Sequence, residues 1–198
     1  MSWDLVEKLK QRFPDIEPFP RQPERLAGEH GPAPTGRPAP RHEAKGPTFH
    51  TPGAYIPAER LLEICQVLRG DPEYQMDYCS FVTAVDRPAE GGIDVVYHLF
   101  SLATHEGLLL KVRVPREAPR VPSVVSIWLG ADWHERETYD LFGVVFDGHP
   151  DLRRIMMTDD WQGHPLRKDY VYEEPRWLVE LAAQRQREIA GLGLGERA

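Results

Sequence analysis

Three strand-like runs follow one another between residues 78 and 114 with only short polar connections, and that succession limits the fold more than any other feature. Residues 78–86 carry Cys79, Phe81, Thr83 and Val85 on one face of an extended backbone, whose side chains alternate with period two. Residues 93–101 alternate Ile93, Val95, Tyr97 and Leu99 against Asp94, Val96, His98 and Phe100. Residues 107–114 turn Leu108, Leu110, Val112 and Val114 inward and Lys111 and Arg113 outward. The connections at Arg87–Gly92 and Ala103–Gly107 are too short for a parallel crossover, so the pairing is an antiparallel meander.

Helical patterns flank the meander. Ala58, Leu61, Leu62, Cys65 and Leu68 recur at helical spacing, with Pro57 in the first turn and Gly70 and Pro72 as stops, which predicts a helix over 58–69. After Pro115–Pro122, a connector with three prolines, Ser123 caps a short turn through Ile127. Asp132 then caps a second helix, with Glu135 as its capping-box partner and Gly143 closing it. Helix, meander, helix is the order of an α+β domain, an antiparallel sheet with helices on one face, followed by an irregular interface-forming C-terminal extension. We place this core at residues 54–147, a His-Pro loop region at 148–171 and the extension at 172–198, with an amphipathic helix at 177–190 and a Gly-rich tail. Residues 1–13 form an N-terminal helix with Leu5, Val6 and Leu9 on one side. Between them, residues 14–53 hold ten prolines with glycines interspersed, which forbids regular structure and predicts an extended or disordered linker with at most a brief strand.

A chain of 198 residues buries a core without staples. Its net charge of -7 argues against nucleic-acid binding, which needs a basic face. Cys65 and Cys79 stand in apolar surroundings and read as buried free thiols of a reducing compartment. The N-terminus lacks the basic and apolar regions of a signal peptide, and no run approaches the ~20 apolar residues of a membrane span. A soluble cytoplasmic chain, meeting a membrane only through a partner, is the expectation.

The chemistry concentrates in residues 133–143, where Trp133, Arg136, Glu137 and Asp140 fall at i, i+3, i+4 and i+7 on one helix face. Charge mixed with aromatic surface suits a hydrogen-bonded contact with another protein. Arg136 is spaced to pair with Asp132 and Asp140 on the same helix. Downstream, Gly148-His149-Pro150-Asp151-Leu152-Arg153-Arg154 is echoed by Gly163-His164-Pro165-Leu166-Arg167-Lys168-Asp169-Tyr170, each an imidazole followed by paired cations; coincidental turn chemistry is the bland alternative. Enzymatic motifs fail one by one. His134-Glu135-Arg136-Glu137-Thr138 has Thr138 where a zinc protease needs its second histidine. Two cysteines cannot hold an iron–sulfur cluster that takes four thiolates. Glycines 191, 193 and 195 have no following helix, and neither a GxSxG nor a phosphate loop occurs. A metal-dependent hydrolase using His149 and His164, with Asp147 or Asp151, stays open as an alternative. No catalytic residue is assigned.

Glu135-Arg136-Glu137, Asp140, Leu141-Phe142, His149, Arg153 and Ile155-Met156 fall at the spacing of a known signature. In this the chain resembles the C subunit, of the 30-kDa type, of bacterial NADH-quinone oxidoreductase, respiratory complex I. That family's Gly-His-Pro-Leu-Arg-Lys-Asp-Tyr element stands at 163–170, and looser similarity at 96–99, 111–115 and 121–124 extends the likeness to about residues 54–171. The resemblance implies a cofactor-free, non-catalytic α+β member of the hydrophilic arm, peripheral on the cytoplasmic side of the cell membrane. Its partners would be the 49-kDa D subunit, which forms the quinone site, the B subunit, which bears the terminal cluster, and other arm subunits. Iron–sulfur clusters, FMN and quinone would reside in those partners. Trp133, Glu135, Arg136, Glu137, Tyr139, Asp140, Phe142, His149, Arg153, His164, Arg167, Lys168 and Tyr170 are then the expected partner-interface residues, with Trp133, Tyr139 and Phe142 as anchors. Domains of membrane-bound [NiFe] hydrogenases share the resemblance and differ in the partner chain. The chain departs from the family in the long Pro/Gly-rich stretch after its first helix.

Overall fold

The computed structural model of the chain describes residues 3–20, 51–172 and 176–191; most of the expected linker and of the Gly-rich tail lies outside them. One compact unit runs to Lys168 and a second begins at Asp169.

The first unit opens with α1 (Asp4–Arg12), which buries Leu5, Val6 and Leu9 as expected and carries acids in its first turn and bases in its last. Strand β1 (Glu17–Pro18) follows, and β2 (Gly53–Tyr55) pairs antiparallel with it. A 3-10 turn at Ala58–Arg60 leads into α2 (Leu61–Gly70), so Pro57 sits just before the helical segment, whose Leu61, Ile64, Cys65 and Leu68 are buried. Then come β3 (Tyr78–Arg87), β4 (Gly92–Phe100) and β5 (Gly107–Pro115). These three pair as the expected antiparallel meander, and β2 joins β5 in parallel, so the sheet of order β1-β2-β5-β4-β3 is mixed rather than wholly antiparallel. The added strands come from the edge of the proline-rich stretch, where Gly53 is required. A Cβ there would lie 2.2 Å from the Leu109 carbonyl oxygen and 2.6 Å from the Phe19 ring.

One sequence expectation fails on this sheet, and another holds with a difference. A bulge between Cys79 and Phe81 shifts the register of β3, so Val82, Ala84 and Asp86 point inward while Phe81 and Val85 are exposed. One extra residue sends every later side chain to the opposite face, and alternation alone does not show where it is inserted. Lys111 does occupy the outer face, but it is buried: its ammonium lies 5.1 Å and 5.7 Å from the Phe19 and Tyr55 ring centroids. Its pKa falls below the usual lysine value because burial penalises the charge. Beside it, Asp94 is fully buried and held by Arg87 (2.8 Å) and Arg113 (2.6 Å and 3.0 Å).

On the inner face, the buried residues of α1 and α2 join Val82, Val95, Tyr97, Leu99, Leu108, Leu110 and Val112 in one core. Strand β6 (Arg120–Pro122), α3 (Ala131–Phe142) and β7 (Val145–Asp147) complete the unit, with β6 and β7 paired in parallel. Ala131, Leu141 and Phe142 of α3 belong to the same core, which gives an α+β fold with its helices on one sheet face. The second unit contains α4 (Arg176–Gly191). Among the described residues, no helix is long and apolar enough to cross a membrane.

Candidate functional site

Helix α3 begins one residue before Asp132, with Gly130 at its N-cap and no side-chain cap, so the expected capping box is absent. Glu135 turns away from the helix end instead. Its carboxylate is fully buried and accepts the Ser123 hydroxyl at 2.6 Å and the Val124 N–H at 2.7 Å, tying the β6–α3 connection to the helix. Burial raises its pKa to about 7, with the two hydrogen bonds acting against the shift. The His149 side chain is also fully buried beside it. Its Nδ1 accepts the Asp151 N–H at 3.0 Å, which leaves the ring hydrogen on Nε2, 3.3 Å from the Asp132 carbonyl oxygen and 3.4 Å from its carboxylate.

The other end of α3 is held more firmly. One Asp140 oxygen accepts the N–H groups of Ile155, Met156 and Met157 at 3.0, 2.7 and 2.9 Å, and the other accepts Arg154 at 2.8 Å. Burial alone would raise the Asp140 pKa, but these donors hold it below the usual carboxylate value. The last-turn carbonyls are answered in series by the second His-Pro element. His164 Nδ1 lies 2.9 Å from the Asp140 carbonyl oxygen, the Leu166 N–H donates to Leu141, and Arg167 Nε donates to Phe142 at 2.7 Å. Burial lowers the His164 pKa, and the neighbouring Arg167 and Arg154 add to that. Gly143 ends the helix with φ +75°, and a Cβ there would lie 2.5 Å from His164 Nε2. Midway along, the Thr138 hydroxyl lies 3.2 Å from the Val82 carbonyl oxygen of edge strand β3.

The structure thus sorts the expected interface residues. Glu135, Asp140, His149, His164 and Arg167 are engaged in bracing α3, and Phe142 lies in the core. Tyr139 is half-buried against that core. Trp133, Glu137, Arg153 and Lys168 are exposed, and Tyr170 belongs to the second unit. The expected pairing of Arg136 with Asp132 and Asp140 does not form: Asp140 takes Arg154, and the buried Asp132 Oδ1 makes no hydrogen bond. Sequence reasoning missed Arg154 and Ser123 as bracing residues. Arg154 had a signal, as one of the paired cations after the first histidine; Ser123, read as a cap, had none for its true acceptor.

The two histidines serve opposite ends of α3, at Asp132 and Asp140, about 12 Å apart along a helix axis. They do not converge as metal ligands. Among the described residues no group of His, Cys, Asp and Glu is arranged to hold a metal ion. Burial raises the Cys65 pKa and pushes that of Cys79 up to about 12, so both are core thiols.

A helix clamped at both ends by loops, on the covered face of a mixed sheet, defines a class of small α+β domain whose most distinctive polar residues hold its own architecture. The chain belongs to the family of the 30-kDa subunit of respiratory-chain NADH dehydrogenase, whose model matches residues 54–176. Over 125 residues it is 48% identical to the NADH-quinone oxidoreductase C subunit of a Nocardioides species, a match covering 62% of this chain and 48% of that one. The corresponding C subunit of a Roseiflexus species is 46% identical over 116 residues, covering 58% of this chain and 67% of its own. The chain therefore spans about half the length of the Nocardioides relative. In fold it is similar to a chain of the membrane-bound sulfane sulfur reductase, an archaeal respiratory membrane complex, with TM-score 0.63 and 24% identity over 91% of this chain and 90% of that one.

Proposed function

We propose that this chain is a cofactor-free, non-catalytic subunit of the hydrophilic arm of a proton-translocating NADH-quinone oxidoreductase. In this reading it sits on the cytoplasmic side of the membrane, docked on the 49-kDa quinone-site subunit and on the subunit that bears the terminal cluster. Iron–sulfur clusters, FMN and quinone then belong to its partners, and its own part in electron transfer from NADH to quinone is to fix their geometry. The observation that carries the reading is the division of labour on α3. Its buried carboxylates are satisfied within the chain, while Trp133 on the same helix is 63% exposed, an unusual place for an indole without a partner. Docking then falls to Trp133, Arg136 and Glu137 of α3, with Arg153 and Lys168 on the loops.

The test is affinity purification of the tagged full chain from gently solubilised native membranes. Recovery of quinone-site and iron–sulfur subunits with NADH-oxidising, quinone-reducing activity is the expected result. Recovery of the chain alone, or with a nickel-iron catalytic subunit, would overturn the assignment.

A further inference from the structure

Arg136 is out of balance with its surroundings. It is only 6% exposed, yet among the described residues its guanidinium makes no hydrogen bond or ion pair. Nε is buried without an acceptor. What it does meet is the face of Trp133, the guanidinium carbon lying 4.8 Å from the ring centroid. Of the two carboxylates at helical spacing, Asp140 is taken by Arg154 and three N–H groups, and Asp132, whose buried Oδ1 has no hydrogen-bond partner, forms no ion pair with Arg136. In a chain of net charge -7 this leaves a largely buried cation without an acid. A buried guanidinium lacking acceptors is costly, and cation–π contact offsets only part of that cost.

Two apolar side chains near Arg136 in the chain are open. Trp133 is 63% exposed, and Leu129, four residues earlier, is 83% exposed. Stacking on the indole orients the planar guanidinium, a state suited to bidentate recognition of a carboxylate. From this geometry we infer that Trp133 and Arg136 form a receptor for an acidic segment of a partner subunit, whose Asp or Glu carboxylate pairs with Arg136 while an adjoining apolar side chain packs on Trp133 and Leu129. The inference rests on the docking reading above and specifies its chemistry: the partner brings the carboxylate that the chain itself withholds.

The test places the photo-crosslinking residue p-benzoylphenylalanine at Leu129 of the full chain, within the native membrane complex, and maps the peptide it captures. The expected peptide belongs to a subunit of the complex and contains Asp or Glu beside the capture point. Arg136→Met should then weaken rebinding of the full chain to membranes stripped of it by roughly 30-fold or more, the scale for removing one partner of a buried charge pair. The same variant should leave the urea midpoint of the free chain unchanged or raised, because the guanidinium has no hydrogen bond there to lose. Arg136→Glu combined with the captured carboxylate changed to Arg should restore binding. An assembled complex without a cross-link, a captured peptide without an acid, or a free chain destabilised by Arg136→Met would overturn the receptor and leave the docking reading intact. A wild-type chain recovered from membranes without the oxidoreductase would overturn both.

Discussion

Glu135 and Asp140 lie on one helix, five residues apart, and both carboxylates are fully buried, yet their acidities move in opposite directions. Burial raises both. The difference lies in the donors. Glu135 has one hydroxyl and one N–H, and no guanidinium pairs with it, whereas Asp140 has three N–H groups and Arg154. The N-terminal half of α3 is therefore held by an acid poised to carry a proton near neutrality, and the C-terminal half by a fixed charge. Depth decides that a carboxylate must be compensated; the number and charge of its donors decide its ionisation.

The strongest way to break this contrast is to remove the fixed charge. Asp140→Ala leaves three N–H groups and Arg154 without their acceptor, and we expect a loss of roughly 3–5 kcal/mol in urea unfolding of the full chain. A loss of under about 1 kcal/mol would show that residues 154–157 hold their path without it.

Titration sharpens the comparison. Glu135 rises from its ordinary value of 4.5 to about 7, so between those values the unfolded chain ionises while the folded chain keeps its proton. Its contribution is complete below about pH 4.5 and is lost as pH rises through about 7, a change of roughly 3 kcal/mol against stability. Asp140 acts in the opposite sense: its contribution is present above the ordinary carboxylate value of 3.8 and is lost as pH falls below it. In Glu135→Gln the amide oxygen accepts Val124 and the amide nitrogen donates to Ser123. The stability advantage of the wild type over that variant should therefore shrink as pH rises from about 5 to 8, while His164 and His98, whose pKa values are lowered, act alike in both. Equal slopes in the two proteins would remove Glu135 from the account.

Two smaller changes probe the rest of the bracing of α3. Gly143→Ala forces a Cβ at φ +75° to within 2.5 Å of His164 and 2.9 Å of Arg167, which should cost about 2 kcal/mol and shift the His164 ring resonances. Thr138→Val removes the hydroxyl that lies 2.8 Å from the His134 carbonyl oxygen of α3 and 3.2 Å from that of Val82, and should cost about 1 kcal/mol, with faster amide exchange along β3.

Periodicity exposed what depends on neighbours along the chain. The meander, the buried faces of α1 and α2, the glycine ending α3 and the spacing of the family motif were all visible, because alternation and helical spacing are written residue by residue. The bulge in β3 was not, since Ser80 carries no mark of being the extra residue. Nor was the parallel partnership of β2 with β5, which joins residues more than fifty positions apart.

The candidate site shows the same boundary. Sequence by itself singled out the charged helix and the two His-Pro turns, and through them the family. Only the tertiary structure decided that Glu135, Asp140, His149, His164 and Arg167 are spent on bracing α3 while Trp133 faces outward and Arg136 is left without an acid. A charged residue looks the same in sequence whether it braces its own chain or waits for another. What separates the two roles is which donors and acceptors the folded backbone brings within about 3 Å, and a loop that returns across a helix sets that by its path, not its composition.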